Sequence, residues 1–288
     1  MRFAGDGTPS FIPGQPQQKV TGSYRMDQWD EIRGAVLYFL IVIATCITFG
    51  AILVVIHEFI HSTTAYLLGH MHSPLAIVWG NPITLDGWDE GVSYSTIFNA
   101  GQGTDAAIIA VMPLLFHAVI VIVGIYLLLS AALVRKKWLF HLVFWLVIVN
   151  FMELVAYMPV RAFSLHGDIG NCNHGLGLNP WLLFLVGTPL ILLGLYYLYG
   201  RVLPRMNVVV AGESRLVRYV ILVFSIFYLF VFRGSIHNVL TFAPNMEWLT
   251  LLFGYVAFVV ILYACQPGSR WITAAEKQFT KEMSGGAP

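Results

Sequence analysis

The feature that most constrains this chain is a series of long apolar runs, at roughly 35–68, 106–134, 138–158, 181–200, 216–236 and 247–265. A hydrocarbon core about 30 Å thick needs about 20 helical residues to cross. A spanning segment must also satisfy its own backbone hydrogen bonds, which a helix does and an open strand does not. The runs therefore predict an all-α polytopic membrane protein with about six transmembrane helices. Composition agrees: 58% of the 288 residues are hydrophobic and 11% are charged, and the mean hydropathy is +0.74, so the bilayer is the main solvent. The expected organisation is a polar N-terminal tail at 1–33, a transmembrane domain at 34–265 and a polar C-terminal tail at 266–288. The first tail lacks the apolar stretch and cleavage site of a secretory signal, so insertion is expected to rely on the first helix. That helix is too long for one perpendicular span and is expected to tilt, to bend near Gly50, or to project its C-terminal part into a protected cavity.

Charge placement predicts orientation. Arg2, Lys19, Arg25 and Arg33 precede the first helix; Arg135, Lys136 and Lys137 follow the second; Arg201, Arg205, Arg215 and Arg218 follow the fourth; Arg270, Lys277 and Lys281 follow the sixth. Six spans put all of these on one side, leaving Arg161 and Arg233 on the other, and Lys and Arg are retained in the cytoplasm. Both termini are thus expected there. The formal net charge of +1 carries no basic surplus for a phosphate backbone, which argues against nucleic acid as a partner. Cys46, Cys172 and Cys265 are far apart and suggest neither a disulfide framework nor a thiolate zinc site. Between the first two helices, from His70 to Asp105, no Lys or Arg occurs. Short β-prone runs there, Leu75 to Trp79 and Val92 to Phe98, predict a small sheet or an irregular segment. The C-terminal residues Arg270 to Met283 are compatible with an interfacial helix.

The first apolar run contains His57-Glu58-Phe59-Ile60-His61. Residues four apart share a helix face, so the two imidazoles can grip one metal ion, and Glu58 beside them can take a proton from water. Three titratable groups within five residues of a membrane helix are costly to insert and point to a function. A catalytic zinc takes three protein ligands and leaves a fourth position open. Alternating spans put the ends of helices one and three on the same side, so the third ligand is expected in the segment after helix three. Asp168, flanked by Gly167 and Gly170 in a turn, is the first candidate; Glu153, His166, Cys172 and His174 are the alternatives. His117, His141 and Asn150 read as interhelical hydrogen-bonding groups.

With His57 to Ala65 as HExxHxxxA, and Pro159 followed by the turn to Gly170 after a later membrane helix, the chain resembles the site-2 protease family of intramembrane zinc metalloproteases. The family's usual Asn-x-x-Pro-x-Pro-x-x-x-Leu-Asp-Gly pattern is reduced here to Pro159 and Gly167-Asp168-Ile169. The resemblance implies one zinc ion per chain on His57, His61 and Asp168, with Glu58 activating water. It also implies hydrolysis of peptide bonds in membrane-embedded protein substrates that carry a transmembrane helix. A catalytically inactive relative that binds membrane partners is the main competing expectation. A di-iron oxygenase would need more clustered histidines, and a transporter would need broken-helix repeats.

Overall fold

The computed structural model describes residues 28–81, 87–232 and 246–284. Five of its helices are long and apolar enough to cross a membrane, or six when one bent pair counts as a single span. Helix α1 runs over Gln28–Leu67 and is unbroken for 40 residues, a length of about 60 Å at 1.5 Å per residue. A two-stranded antiparallel sheet follows, β1 at Ile77–Val78 and β2 at Asp89–Glu90, and then a short helix, α2, at Tyr94–Asn99. The long helices continue with α3 at Gly103–Leu129, α4 at Lys137–Val160, α6 at Pro180–Ala211 and α7 at Arg215–Phe232, while α5 at Gly167–Leu176 is a short helix between α4 and α6. The chain closes with α8 at Leu252–Cys265 and α9 at Arg270–Ser284, bent by 58° to one another.

The buried residues of α1 explain how it packs. Ala35, Tyr38, Val42, Cys46, Gly50, Leu53, His57, His61 and Ala65 are spaced three or four apart along its whole length. They form one stripe against the bundle, while Leu37, Leu40 and Ile52 on the other faces are exposed. In a bilayer those exposed faces meet lipid. The central helix is α4, buried on most sides through Phe140, Phe144, Trp145, Ile148, Phe151 and Met152. His141 ties it to α1, with Nδ1 at 3.1 Å from the Tyr38 hydroxyl and Nε2 at 3.3 Å from Thr45 Oγ1. Its last turn is π-helical and contains Pro159, which lacks an N–H to continue the ladder.

One sequence expectation needs adjustment. Of the two β-prone runs only the first supplies a strand; Val92 to Phe98 instead enters α2, and the second strand is the acidic pair Asp89–Glu90 that precedes it. Helix α1 begins ahead of the first apolar run, with the polar residues Gln28 to Arg33 in its first turns. Residues 270–284 are helical and dock on the bundle: Ile272 and Phe279 are buried, and Glu276 accepts from Asn207 Nδ2 at 2.8 Å and Arg218 Nη1 at 2.9 Å. Arg2, Lys19, Arg25, Arg233, the end of the 216–236 run and the last four residues lie outside the described residues.

Candidate metal centre

Three elements converge at the C-terminal end of α1. The first is α1 itself, whose buried residues near this end include His57, Glu58, His61 and Ser62. The second is α3, which packs against it. The third is α5, brought back by the turn after Pro159. Gly167, at φ +72°, opens α5, a conformation that residues with a Cβ adopt at a cost. Asn173 Nδ2 donates to the Ala162 carbonyl at 3.0 Å and fastens α5 to the chain leading into it. Gly175 then lies against Gly103 of α3, so close that a Cβ on Gly175 would stand 2.2 Å from the Gly103 carbonyl oxygen. Asp168, in the first turn of α5, is thereby held in the bundle interior at 8% exposure.

In the neutral imidazoles, the hydrogen bonds decide which nitrogen carries the proton. Asn150 Nδ2 donates to the Leu146 carbonyl at 2.7 Å, which turns Oδ1 toward His117. That oxygen only accepts, so His117 Nδ1 at 2.8 Å carries the proton and His117 Nε2 is bare. The bare nitrogen accepts from His57 Nδ1 at 3.0 Å, which leaves His57 Nε2 without a proton. His61 Nδ1 donates to the Ile109 carbonyl at 2.8 Å, which leaves His61 Nε2 bare as well. These two nitrogens stand 3.1 Å apart. Asp168 Oδ2 is 3.2 Å from the first and Oδ1 is 3.4 Å from the second.

Lone pairs aimed at one another repel unless a positive charge lies among them, either a proton or a metal ion. Burial alone would raise the Asp168 carboxyl, but a proton on the facing His61 or His57 holds it well below the usual carboxylate range. The spacing suits a metal: tetrahedral ligands at 2.0–2.1 Å stand about 3.3 Å from one another. Two imidazoles, each oriented by a hydrogen bond on its other nitrogen, and one carboxylate form a donor set that zinc accepts.

His57, His61 and Asp168 offer ligand atoms within 4.8 Å of one another, and so do Glu58, His61 and Glu90. Among the described residues no such group includes Glu153, His166, Cys172 or His174. His166 and His174 are exposed, and Cys172 packs on Ala107 and Ala110. Glu90 is a site residue that sequence reading passes over. It lies opposite Ile77 in the β1–β2 pair, and directly paired residues project to one face of a sheet. Both are buried toward α1, while their neighbours Val78 and Asp89 turn outward. Burial and the adjacent Glu90 push the Asp89 carboxyl up to about 6. The only sequence signal for Glu90 is an acidic pair beside a β-prone run, and the hairpin register that aims it is not visible there.

Compared with known proteins, the chain matches no family model, no curated sequence and no solved structure.

Proposed function

We propose that this chain is an intramembrane zinc metalloprotease that hydrolyses peptide bonds of membrane-embedded protein substrates. The observation that carries this reading is the convergence of two imidazole nitrogens, bare in the neutral rings, and a carboxylate on one point, beside a buried carboxylate that the point does not use. His57, His61 and Asp168 would hold the ion, and Glu58 is the adjacent base. When bound, zinc supplies a Lewis acid that polarises a carbonyl and lowers the pKa of water toward ~7. Glu58 takes the proton of the attacking water and returns it to the departing amine. His117 and Asn150 keep the His57 lone pair aimed inward, and the Ile109 carbonyl does the same for His61.

A transmembrane substrate presents its carbonyls inside a helix, where they are shielded and already bonded, so it must unwind before attack. The β1–β2 sheet beside α1 offers backbone groups with which an unwound strand can pair. A two-histidine, one-carboxylate set also suits non-haem iron; the position of Glu58 favours hydrolysis, and metal analysis separates the two.

The test is metal analysis of the purified chain together with cleavage of a transmembrane reporter. The expected result is one zinc per chain, with Glu58→Gln retaining zinc and losing cleavage by about 10²-fold or more. Zinc in both proteins with cleavage in neither would identify an inactive relative. Iron with oxygen consumption would replace the hydrolytic reading altogether.

A further inference from the structure

The atoms that converge on the centre are acceptors: two imidazole nitrogens, Asp168, Glu58 and Glu90. Peptide hydrolysis also needs a donor aimed at the carbonyl oxygen, which gains charge as water adds. Tyr94, at the start of α2, has the placement and chemistry for this. Its ring packs against the cluster of Ala65, Ile97, Ala106 and Ile109 and against the cluster of Ala107, Ala110 and Cys172. Those clusters draw their residues from α1, α2, α3 and α5; α1 carries His57 and His61, and α5 carries Asp168. Its hydroxyl is buried and makes no hydrogen bond of good geometry among the described residues, with the Glu90 carboxylate as the acceptor beside it, an arrangement that native proteins rarely leave without a reason.

The local chain explains how the ring reaches this position. Gly91 N donates to the Ala76 carbonyl at 3.0 Å, and a Cβ on Gly91 would stand 2.9 Å from that oxygen. The close approach sends the chain from Glu90 directly into α2, so Glu90 and Tyr94 reach the same end of α1 from one short segment. Burial, and then the Glu90, Asp168 and Glu58 carboxylates, raise the phenol far above its ordinary range. The hydroxyl stays protonated and remains a donor.

We propose that Tyr94 is a catalytic residue of this centre, its buried hydroxyl donating a hydrogen bond to the scissile carbonyl oxygen as that oxygen becomes an oxyanion. In the addition step a water lone pair forms the new C–O bond, Glu58 takes the water proton, and the carbonyl π pair moves onto the oxygen that Tyr94 faces. In the collapse that pair re-forms the carbonyl, the C–N bond breaks, and the proton on Glu58 goes to nitrogen. Tyr94 keeps its own proton throughout. The inference rests on the hydrolytic reading above.

The test uses the full chain, loaded with zinc, and its Tyr94→Phe variant. The variant is expected to lose about 10²-fold in kcat, the range found when one oxyanion donor is removed, with KM within about twofold and zinc affinity unchanged. A phosphinic peptide resembling the tetrahedral species should bind the variant more weakly by a similar factor, while the uncleaved reporter binds as before. Wild-type kcat in Tyr94→Phe, or undiminished phosphinate binding, would overturn the role. Loss of zinc from the variant would overturn it too, by assigning Tyr94 to the scaffold. A wild-type chain without zinc, or a Glu58→Gln variant that still cleaves, would instead bring down the hydrolytic reading and this inference with it.

Discussion

At the scale of single residues, the chain from Asn150 through His117 to His57 is a device for pointing one lone pair. Replacing His117 by Phe removes the acceptor at His57 Nδ1 and frees the ring to rotate or to change tautomer. Metal affinity should then fall by about 10–100-fold, the usual cost of losing such an outer partner. His117→Gln offers a side-chain oxygen to the same N–H and should recover part of the loss. Competition with a fluorescent chelator measures both variants, and equal affinity in all three proteins would show that His117 only fills space. How much of the site is legible in sequence follows from how locally each residue is placed. His57, Glu58 and His61 share one turn of one helix, so their spacing alone puts them together. Asp168 depends on the order of the spans and on the turn through Gly167, and those features left Glu153, His166, Cys172 and His174 in contention. Glu90 and Tyr94 depend on which residues pair across β1 and β2 and on a helix where Val92 to Phe98 reads as a strand, and no spacing rule reaches them.

At the scale of elements, the site depends on how closely α5 lies against α3. Gly103 and Gly175 face each other, and a Cβ on either would meet the other's backbone, at 2.6 Å for Gly103 and 2.2 Å for Gly175. Backbone cannot swing aside as a side chain can. Gly175→Ala should therefore push α5 outward, at a cost of about 1–3 kcal/mol or more in stability, and should carry Asp168 away from the imidazoles. Thermal unfolding in detergent, read together with metal retention, checks this. Gly194→Ala is the matched comparison, since its new Cβ would meet the ring of Phe151 at 2.6 Å, a side chain with some freedom to move. A fall in metal retention for Gly194→Ala equal to that for Gly175→Ala would mean that general loosening, not the seat of α5, is responsible. In the sequence Gly103 is one of two glycines in Gly101-Gln102-Gly103; its meaning comes from a glycine 72 positions later. The apolar spans, by contrast, are legible because length and hydropathy are properties of each run by itself.

At the scale of the whole molecule, the two ends of the bundle differ sharply. One end gathers the start of α1, the turn into α4 and the turn into α7: Glu31 accepts from Ser214 Oγ at 3.3 Å and from Leu216 N at 3.2 Å. Arg205 there bonds the Leu129 carbonyl, and its guanidinium lies 4.8 Å from the centre of the Phe279 ring in α9. The other end holds the imidazoles, Asp168, the β1–β2 sheet and the His70–Asp105 pair at 2.8 Å. All the described Lys and Arg residues except Arg161 belong to the first end. Moving many cations through a bilayer is the costly arrangement, so that end is expected in the cytoplasm and the candidate centre toward the opposite face. Cysteines introduced at the exposed positions Ser95 and Ala131 report this directly, because Cys46, Cys172 and Cys265 are buried. On intact cells a membrane-impermeant maleimide should label Ser95→Cys at once and Ala131→Cys only after permeabilisation. The reverse pattern would invert the molecule, place the centre toward the cytoplasm, and direct the search for substrates to membrane helices that unwind at their cytoplasmic ends.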